Sequence, residues 1–366
     1  MSLENLSITK TDDLPIRHEG NVHNGKVRSV YWLNKEDSRR IGKLYGVENS
    51  QIGIMVDSDT ISAFECLWHG ETLKGVPGKG AVLNAVSDHW FDRFEQNNLA
   101  GNHILGTPHP LVWIVRKAEP IFVEAIARQY ITGSMWRDYD EKSIRNFCGN
   151  RLLEGLEKDQ DLGRLLITPT TKGVIAGIPG IPEADDVNIT KQQILDNYRA
   201  FGFKSAEDVA QYETLLRKGF VLIREDLDSL GLIFVDTKFE FGYAKDSDGK
   251  KSMIYIDEVG TPDSSRYWSK DLYAKGEVVE KSKEFFRQIL LNGVPERDVL
   301  LNKKRMDERR ELAQIYRVKD EDMMATSELY IKLAEQITGK PLPKIENPRE
   351  EIIVSLEPFG IIEKVE

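Results

Sequence analysis

The segment GLIFVDTKFEFG, residues 231–242, has the apolar content of a buried β-strand but carries three charged residues. Asp236, Lys238 and Glu240 occupy alternate positions, and an extended backbone therefore places all three side chains on one face of a sheet. A strand at the solvated edge of a sheet would explain this pattern without any function. A site for a metal ion and a phosphate group would explain it through chemistry. The segment thus predicts a β-sheet and leaves two interpretations of its charged face.

The sequence that follows predicts a hairpin, which would bring a second carboxylate to Glu240. Asp248-Gly249 is typical of a two-residue turn between antiparallel strands. With that turn, Asp257 pairs directly with Glu240, and the two side chains stand about 5 Å apart. Two carboxylates this close destabilise a hairpin unless a cation neutralises them, and Mg²⁺ prefers one or two carboxylates together with phosphate oxygens. The pairing depends on the length of the turn, and two interpretations stay open here: a metal site, or two solvated acids screened by Lys238.

Three further segments carry side chains suited to binding phosphate or carboxylate groups. Arginine offers a planar fork of donors, and a glycine-containing turn exposes backbone N–H groups to an anion. Each segment alone is more often structural, but their combination with an acidic pair predicts an anion site. The segments are NGKVRSVY with Lys26 and Arg28, ARQYITGS with Arg128 and Ser134, and TPDSSRYW with Ser265 and Arg266.

The bulk composition restricts the class of protein. The 366 residues carry a formal net charge of -10, so no overall positive field attracts a nucleic acid. The two cysteines, Cys66 and Cys148, lack the spacing of a zinc site or a disulfide framework, which indicates a reducing compartment. The first residues lack a signal-peptide apolar core, and no run of about eighteen apolar residues occurs. We expect a cytoplasmic protein with neither a nucleic-acid nor a membrane partner.

The order of predicted elements indicates an α+β protein. The first third is rich in short strands, and the middle third combines strands with a loop-rich stretch at 149–190. Capping-box pairs beginning at Thr190 and Ser205 predict helix starts. The last third is helical and could pack between the subunits of a homo-oligomer. Periodicity predicts helices at 81–97, 206–229, 279–292, 306–317 and 321–338, and strands at 232–242 and 252–259.

Six motifs taken together resemble the SAICAR synthetase family. In chain order they are NGKVRSVY, DTISAFE, KGAVLN, VEAIARQYITGS, VDTKFEFG and IDEVGTPDSSRYW, of which the last two are the most specific. The resemblance extends from about residue 20 to about residue 290. It implies a two-lobed α+β fold, divided into an antiparallel-sheet ATP lobe with one helix at 1–118, a larger α+β lobe with the metal and nucleotide-substrate site at 119–270, and a helical C-terminal region at 271–366.

The resemblance also implies an activity. Members are ATP-dependent ligases of purine biosynthesis that join L-aspartate to the carboxylate of carboxyaminoimidazole ribonucleotide (CAIR), through an acyl phosphate, with Mg²⁺ as cofactor. The residues it implies are Glu240, Asp257 and Lys238 for catalysis, Glu240 and Asp257 for the metal, Lys26, Arg28, Arg116, Lys117, Ala118 and Glu124 for ATP, and Arg128, Ser134, Lys238, Asp263, Ser265 and Arg266 for the nucleotide substrate.

Two questions stay open at this point. Many members carry a His-Asp pair after TPTTKG, where this chain has VIAGIPGIPEADDVNIT, and either Asp185 or Asp186 is the candidate replacement. The pocket for L-aspartate cannot be located from spacing. Two other functions compete with the ligase. A small-molecule kinase would need a catalytic aspartate in an HxD-type loop, which this sequence lacks. A non-catalytic nucleotide-binding protein would be expected to have lost one of the metal acids or arginines.

Overall fold

The computed structural model describes residues 7–245 and 249–363, so Asp248 of the predicted turn lies outside the described residues. Within these ranges the strands are β1 His23–Asn24, β2 Arg28–Trp32, β3 Ile52–Asp57, β4 Ile61–Ala63, β5 Cys66–Trp68, β6 Ile104–His109, β7 Val112–Arg116, β8 Glu119–Pro120, β9 Val123–Tyr130, β10 Asn146–Phe147, β11 Asn150–Arg151, β12 Asp161–Ile167, β13 Thr170–Thr171, β14 Leu232–Lys245, β15 Lys251–Ile256 and β16 Ser265–Ser269.

The α-helices confirm the predicted helical segments and add several that periodicity did not indicate. They are α1 Lys35–Leu44, α2 Lys79–Gln96, α3 Gly133–Asp140, α4 Lys191–Asp196, α5 Ala206–Ser229, α6 Lys270–Tyr273, α7 Lys283–Gly293, α8 Arg297–Leu301, α9 Met306–Ile315, α10 Asp320–Thr338 and α11 Pro348–Leu356, with 3₁₀ turns at Lys303–Arg305 and Glu357–Phe359. The predicted capping boxes are present at the starts of α4 and α5. No helix of the described residues has the length and apolarity to cross a membrane.

The first sheet is antiparallel, with strand order β1-β2-β3-β7-β6. Helix α1 packs against it and is capped by Asn34, whose side chain accepts a hydrogen bond from the backbone N–H of Asp37. The prediction of one helix in 1–118 is therefore wrong, because both α1 and α2 lie there. The α1 segment KEDSRRIGKL carries few apolar residues, so its periodicity is weak, and the cap together with burial of Ile41 stabilises it instead.

The second sheet has the order β12-β9-β14-β15, with β8, β13 and β16 attached. Strand β14 pairs with β9 and β8 along one side and with β16 and β15 along the other. The interpretation of 231–242 as a solvated edge is therefore wrong. Helices α2 and α5 cover this sheet and bury Trp90, Phe94 and Phe220 in one cluster with its strands.

The register of the β14–β15 hairpin differs from the predicted one by one residue. Glu240 pairs with Ile256, not with Asp257, because Lys245 and Lys251 are the last paired residues before a connection longer than two residues. Strand β15 ends at Ile256, and Asp257 follows it with a φ of 61°. This left-handed conformation takes Asp257 out of the alternation of the strand and re-aims its side chain.

The last third of the chain is distributed over three apolar clusters. Tyr330 and Leu333 of α10 pack with the second sheet, and Phe286 of α7 packs around Trp68 of β5. Helix α11 completes the core of the first sheet, and beyond it Ile362 forms a β-bridge with Ile16. The helical region therefore packs against both sheets. The domain boundaries at 118 and 270 stay a prediction.

Candidate active site

A buried carboxylate lies at the centre of the candidate site. Glu240 of β14 is 3 % exposed, and its two carboxylate oxygens contact two different lysines. Lys238 Nζ donates to one oxygen at 2.7 Å, and Lys172 Nζ donates to the other. Lys238 also donates to Oε1 of Glu124, on the neighbouring strand β9, at 3.0 Å. Alternate residues of β14 thus contribute an acid and a base to one charged centre.

Asp257 joins this centre from the end of β15. Burial opposes its ionisation, but Arg28, Lys238 and Lys172 hold the pKa of Asp257 well below its usual value. The same two lysines contact Glu240, so the two carboxylates face one group of cations despite the shifted register. The structure therefore brings Glu240 and Asp257 together around lysines, by a left-handed residue rather than by direct pairing.

Arg28 lies among carboxylates. Its Nε is 3.0 Å from Asp57 and its Nη2 is 3.1 Å from Glu258, while Nη1 contacts Asp257. Contact with ATP phosphates would therefore require Arg28 to exchange partners. Lys26, two residues earlier in the same hairpin, is exposed and has no salt bridge with the residues that the structure describes.

A second buried carboxylate is held by two arginines. Asp236 accepts a hydrogen bond from Arg128 Nη1 at 2.8 Å and another from Arg266 Nη1. Next to them, the hydroxyls of Thr237 and Ser265 lie 2.7 Å apart. These side chains line a cavity of about 190 Å³. The predicted substrate residues of β9 and β16 therefore meet here, and Asp236 fixes both guanidinium groups.

A larger cavity of about 920 Å³ adjoins the first, because Arg128 and Ser134 line both. Ser134 lies in the first turn of α3, and Glu124 and Asp186 line another part of the wall. Burial raises the pKa of Asp186 to about 6, and the neighbouring Glu124 carboxylate adds to this shift. Asp185 instead accepts a backbone N–H of its own loop at 2.7 Å. The structure therefore favours Asp186 as the loop aspartate of the site.

Asp263 lies in the loop before β16 but is occupied by protein partners. One carboxylate oxygen is 3.0 Å from Lys79 Nζ and 2.8 Å from Lys283 Nζ, and the other accepts from the Tyr330 hydroxyl at 2.8 Å. Burial opposes ionisation, but the two lysines hold the pKa of Asp263 well below its usual value. We infer that Asp263 fixes the loop, and its predicted contact with the nucleotide substrate stays a prediction.

Residues 116–118 connect β7 of the first sheet to β8 of the second. The backbone N–H of Lys117 donates to Gln51 O at 2.8 Å, and the Lys117 ammonium lies over the Trp32 ring at 4.9 Å from its centroid. Arg116 Nη2 donates to Asn102 O at 2.8 Å. The predicted adenine contacts at Arg116, Lys117 and Ala118 therefore fall on the link between the two sheets, and they stay a prediction.

The donor set is compatible with Mg²⁺ but is small. Within 7–245 and 249–363, no group of three or more His, Cys, Asp or Glu side chains is arranged to hold a metal ion. Glu240 and Asp257 supply carboxylate oxygens, which are the hard ligands that Mg²⁺ takes alongside substrate phosphates and water. The two residues fit a metal that arrives with a phosphorylated substrate.

Two residues of the site were not identified as functional from the sequence. Lys172 follows the TPTT segment, where a lysine has no pattern that assigns it a partner 68 positions away. Asp236 belongs to the alternating charges of β14, but its two arginine partners come from β9 and β16. The alternation itself was the available signal for Asp236.

The fold and the site together define a class of enzyme. In it, a small antiparallel sheet joins a larger sheet, and a charged centre lies beside cavities that arginines line. The SAICAR synthetase family profile matches residues 21–299. Phosphoribosylaminoimidazole-succinocarboxamide synthase of Vibrio parahaemolyticus is 58 % identical, over 99 % of this chain and 100 % of that protein. The Vibrio cholerae protein of the same name is 56 % identical over 100 % of both chains. The chain therefore belongs to the SAICAR synthetase family.

Solved structures agree with this assignment. The SAICAR synthase of Saccharomyces cerevisiae, in complex with SAICAR, has a TM-score of 0.64 at 25 % identity and covers 92 % of this chain and 100 % of its own. A SAICAR synthetase in complex with ADP has the same fold, with a TM-score of 0.57 at 19 % identity over 89 % of this chain and 100 % of its own. The predicted α+β fold is confirmed, and so is the predicted enzyme, a ligase of purine biosynthesis.

Proposed function

We propose that this ligase joins L-aspartate to the carboxylate of CAIR at the expense of ATP. The products are SAICAR, ADP and phosphate. The observation that carries the proposal is the position of the Glu240 centre, next to cavities that Arg128 and Ser134 line. The phosphate of a ribonucleotide would bind at the arginines, and its carboxylate would then reach the lysines of the centre.

The reaction has two steps. A CAIR carboxylate oxygen takes the terminal phosphoryl group of ATP, the bond between that group and ADP breaks, and an acyl phosphate forms. The neutral amine nitrogen of L-aspartate then attacks the acyl carbon, the carbon–oxygen bond breaks, and phosphate leaves while the nitrogen loses one proton and keeps the other as the amide N–H. Such a phosphoryl transfer asks the protein for positioning and neutralisation of charge. Lys172 and Lys238 supply cations where the carboxylate is activated.

ATP would lie between the first hairpin and the Glu240 centre. Lys26 is the hairpin cation available to its phosphates, whereas Arg28 orients Asp257. The relative described with ADP supports a nucleotide of this kind. Glu240 and Asp257 would hold Mg²⁺, which when bound neutralises phosphate charge. The cytoplasmic location and the homo-oligomer stay predictions.

The test is release of ADP by the purified protein with Mg-ATP, with CAIR and L-aspartate added separately and together. We expect ADP only with both substrates, in equal amount to SAICAR. ADP formed from CAIR and ATP without L-aspartate would favour a kinase. No ADP under any combination would favour a nucleotide-binding protein without catalysis.

A further inference from the structure

The far wall of the larger cavity is formed by a segment of the helical C-terminal region. Residues 297–305 comprise α8 and the following 3₁₀ turn, and Lys303 and Lys304 of this turn line the cavity. Both lysines lie outside the residues 21–299 that match the family profile. This part of the wall therefore comes from outside the portion of the chain that the profile describes.

The 297–305 segment is fixed from behind by two arginines. Arg309 is 2 % exposed and donates to the carbonyl oxygens of Val299 at 3.0 Å and Asn302 at 3.0 Å. It also donates to Phe64 O at 3.1 Å, which ties the segment to the turn between β4 and β5. Arg305 donates to Glu308 at 2.9 Å and forms ion pairs with Glu296 and Asp298. The backbone of the segment is therefore fixed by contacts in which its two lysine side chains take no part.

Lys303 and Lys304 line the cavity and no carboxylate neutralises them, whereas Arg297 of the same segment, which also lacks a carboxylate, donates to Leu291 O at 2.8 Å and to Asn292 at 2.7 Å. Neither ammonium has a salt bridge with residues 7–245 or 249–363. Arg305, the next residue in the chain, forms ion pairs with Glu296, Asp298 and Glu308. The Asp186 carboxyl lines the same cavity, and the charge of Lys303 opposes the rise of its pKa. Two exposed and unpaired ammonium groups on a fixed backbone beside a cavity favour an anionic ligand.

The position of the lysines distinguishes which anion they suit. The proposed phosphate donors Ser265 and Arg266 line the smaller cavity and not the larger one, whereas Arg128 lines both. Lys303 and Lys304 instead line the larger cavity together with Asp186 and Glu124, and none of the four lines the smaller one. Glu124 in turn contacts Lys238 of the reacting centre. The lysines therefore share a cavity with a residue that contacts the proposed reacting centre.

We propose that Lys303 and Lys304 bind the two carboxylates of the incoming amino acid, while Asp186 receives its ammonium group. This inference rests on the proposed function. L-Aspartate carries its ammonium group on the carbon that bears one of its two carboxylates, so it needs an acid close to the cations, and one cavity is lined by both. The C-terminal region then contributes to selection of the amino-acid substrate.

The test compares Lys303→Gln, Lys304→Gln and the double variant with Lys332→Gln, an exposed lysine of α10 paired with Glu328 on the same helix. We expect the double variant to raise the KM for L-aspartate about tenfold or more, since charge-assisted hydrogen bonds are lost. The KM values for CAIR and ATP should change less than about twofold. Lys332→Gln should leave all three unchanged.

Succinate has both carboxylates but no amine, and we expect it to compete with L-aspartate. Its inhibition constant should rise in the double variant by the same factor as the KM for L-aspartate. A rise in the KM for CAIR instead would assign the lysines to the nucleotide, and unchanged constants would remove them from binding. Either result would overturn the inference while wild-type turnover still supports the proposed function. Wild-type enzyme that forms no product from L-aspartate would overturn both.

Discussion

Two carboxylates in this molecule are each held by two lysines, but their surroundings differ. The two groups are Glu240 with Lys172 and Lys238, and Asp263 with Lys79 and Lys283. In the first group, the side chains of Lys172 and Lys238 are 36 % and 28 % exposed, and Lys238 lines the smaller cavity. In the second they are 0 % and 11 % exposed. The same combination of charges is thus accessible to a substrate in one place and enclosed by protein in the other.

The difference follows from the elements that supply the lysines. Lys79 and Lys283 are the first residues of α2 and α7. The Tyr330 hydroxyl of α10 donates a hydrogen bond to the remaining carboxylate oxygen of Asp263. Lys172 comes from a loop and Lys238 from a strand whose charged face borders a cavity. Buried ion pairs fixed by helices add rigidity, whereas cations beside a cavity can exchange a protein carboxylate for a ligand.

The largest effect that we expect is on stability at the enclosed centre. Asp263→Asn leaves two buried lysines without their carboxylate, so it should lower the free energy of unfolding by about 3–5 kcal/mol, as for other broken buried ion pairs. Urea unfolding measures this change. Glu119→Gln is the matched control, because Glu119 also contacts two lysines, Lys204 and Lys251, but at the surface. Equal changes in both variants would contradict the enclosed role of Asp263.

At the open centre we expect the loss to fall on catalysis instead. Glu240→Gln removes a charge that positions two lysines and a metal, so kcat should decrease roughly 100- to 1000-fold, the scale of removing one preorganised electrostatic group. Steady-state assays with saturating Mg-ATP measure this decrease, and urea unfolding should change little. Asp257→Asn should behave in the same way. Near-full turnover of either variant at limiting Mg²⁺ would disprove the proposed metal site.

The arginine pair on Asp236 extends the comparison to a centre of intermediate accessibility. Arg266→Ala removes a proposed phosphate donor, so the KM for CAIR should rise roughly 10- to 100-fold, as expected for one charged hydrogen bond. The KM for ATP should rise much less. Arg93→Ala, which breaks a peripheral ion pair with Asp226, serves as the control. Equal rises for CAIR and ATP would show that Arg266 does not contact the nucleotide substrate.

The smallest effect that we expect is the pH dependence of the reaction through Asp186. This residue has one nearby lysine and a raised pKa of about 6. Burial is the main cause, with Glu124 and Asp185 adding to it and Lys303 opposing it. Its carboxylate is ionised above this pH and protonated below it. If the ionised form receives the amine, kcat/KM for L-aspartate should fall about tenfold per pH unit below about pH 6. The pH profile of Asp186→Asn should lack this decrease. A wild-type profile that is level down to pH 5 would exclude Asp186 from this role.

The sequence predicted much of the site because its residues repeat at short intervals. The alternation along β14 identified Lys238 and Glu240, and the arginines of β9 and β16 were found from local motifs. The approach of Asp257 to the site was predicted for the wrong reason. Register depends on the length of a turn, and the left-handed residue that compensates for it has no signature in single-sequence patterns.

Contacts between distant segments could not be predicted in the same way. Lys172 and Glu240 are 68 positions apart, and Tyr330 and Asp263 are 67 positions apart. Both contacts depend on how helices and loops pack over the second sheet, which local propensity does not encode. Helix α1 was missed for a related reason, since a cap and tertiary packing stabilise it rather than a broad apolar face.

The path of the last residues has a consequence for the synthesis of the chain. Ile352 and Leu356 fill the core of the first sheet, and Ile362 bridges to Ile16. A nascent chain emerges from the ribosome with its N-terminal part first, and domains generally fold in that order. Here the first sheet cannot complete its core until residues 352–362 have left the exit tunnel. The earliest strands to be made are therefore among the last to reach their final packing.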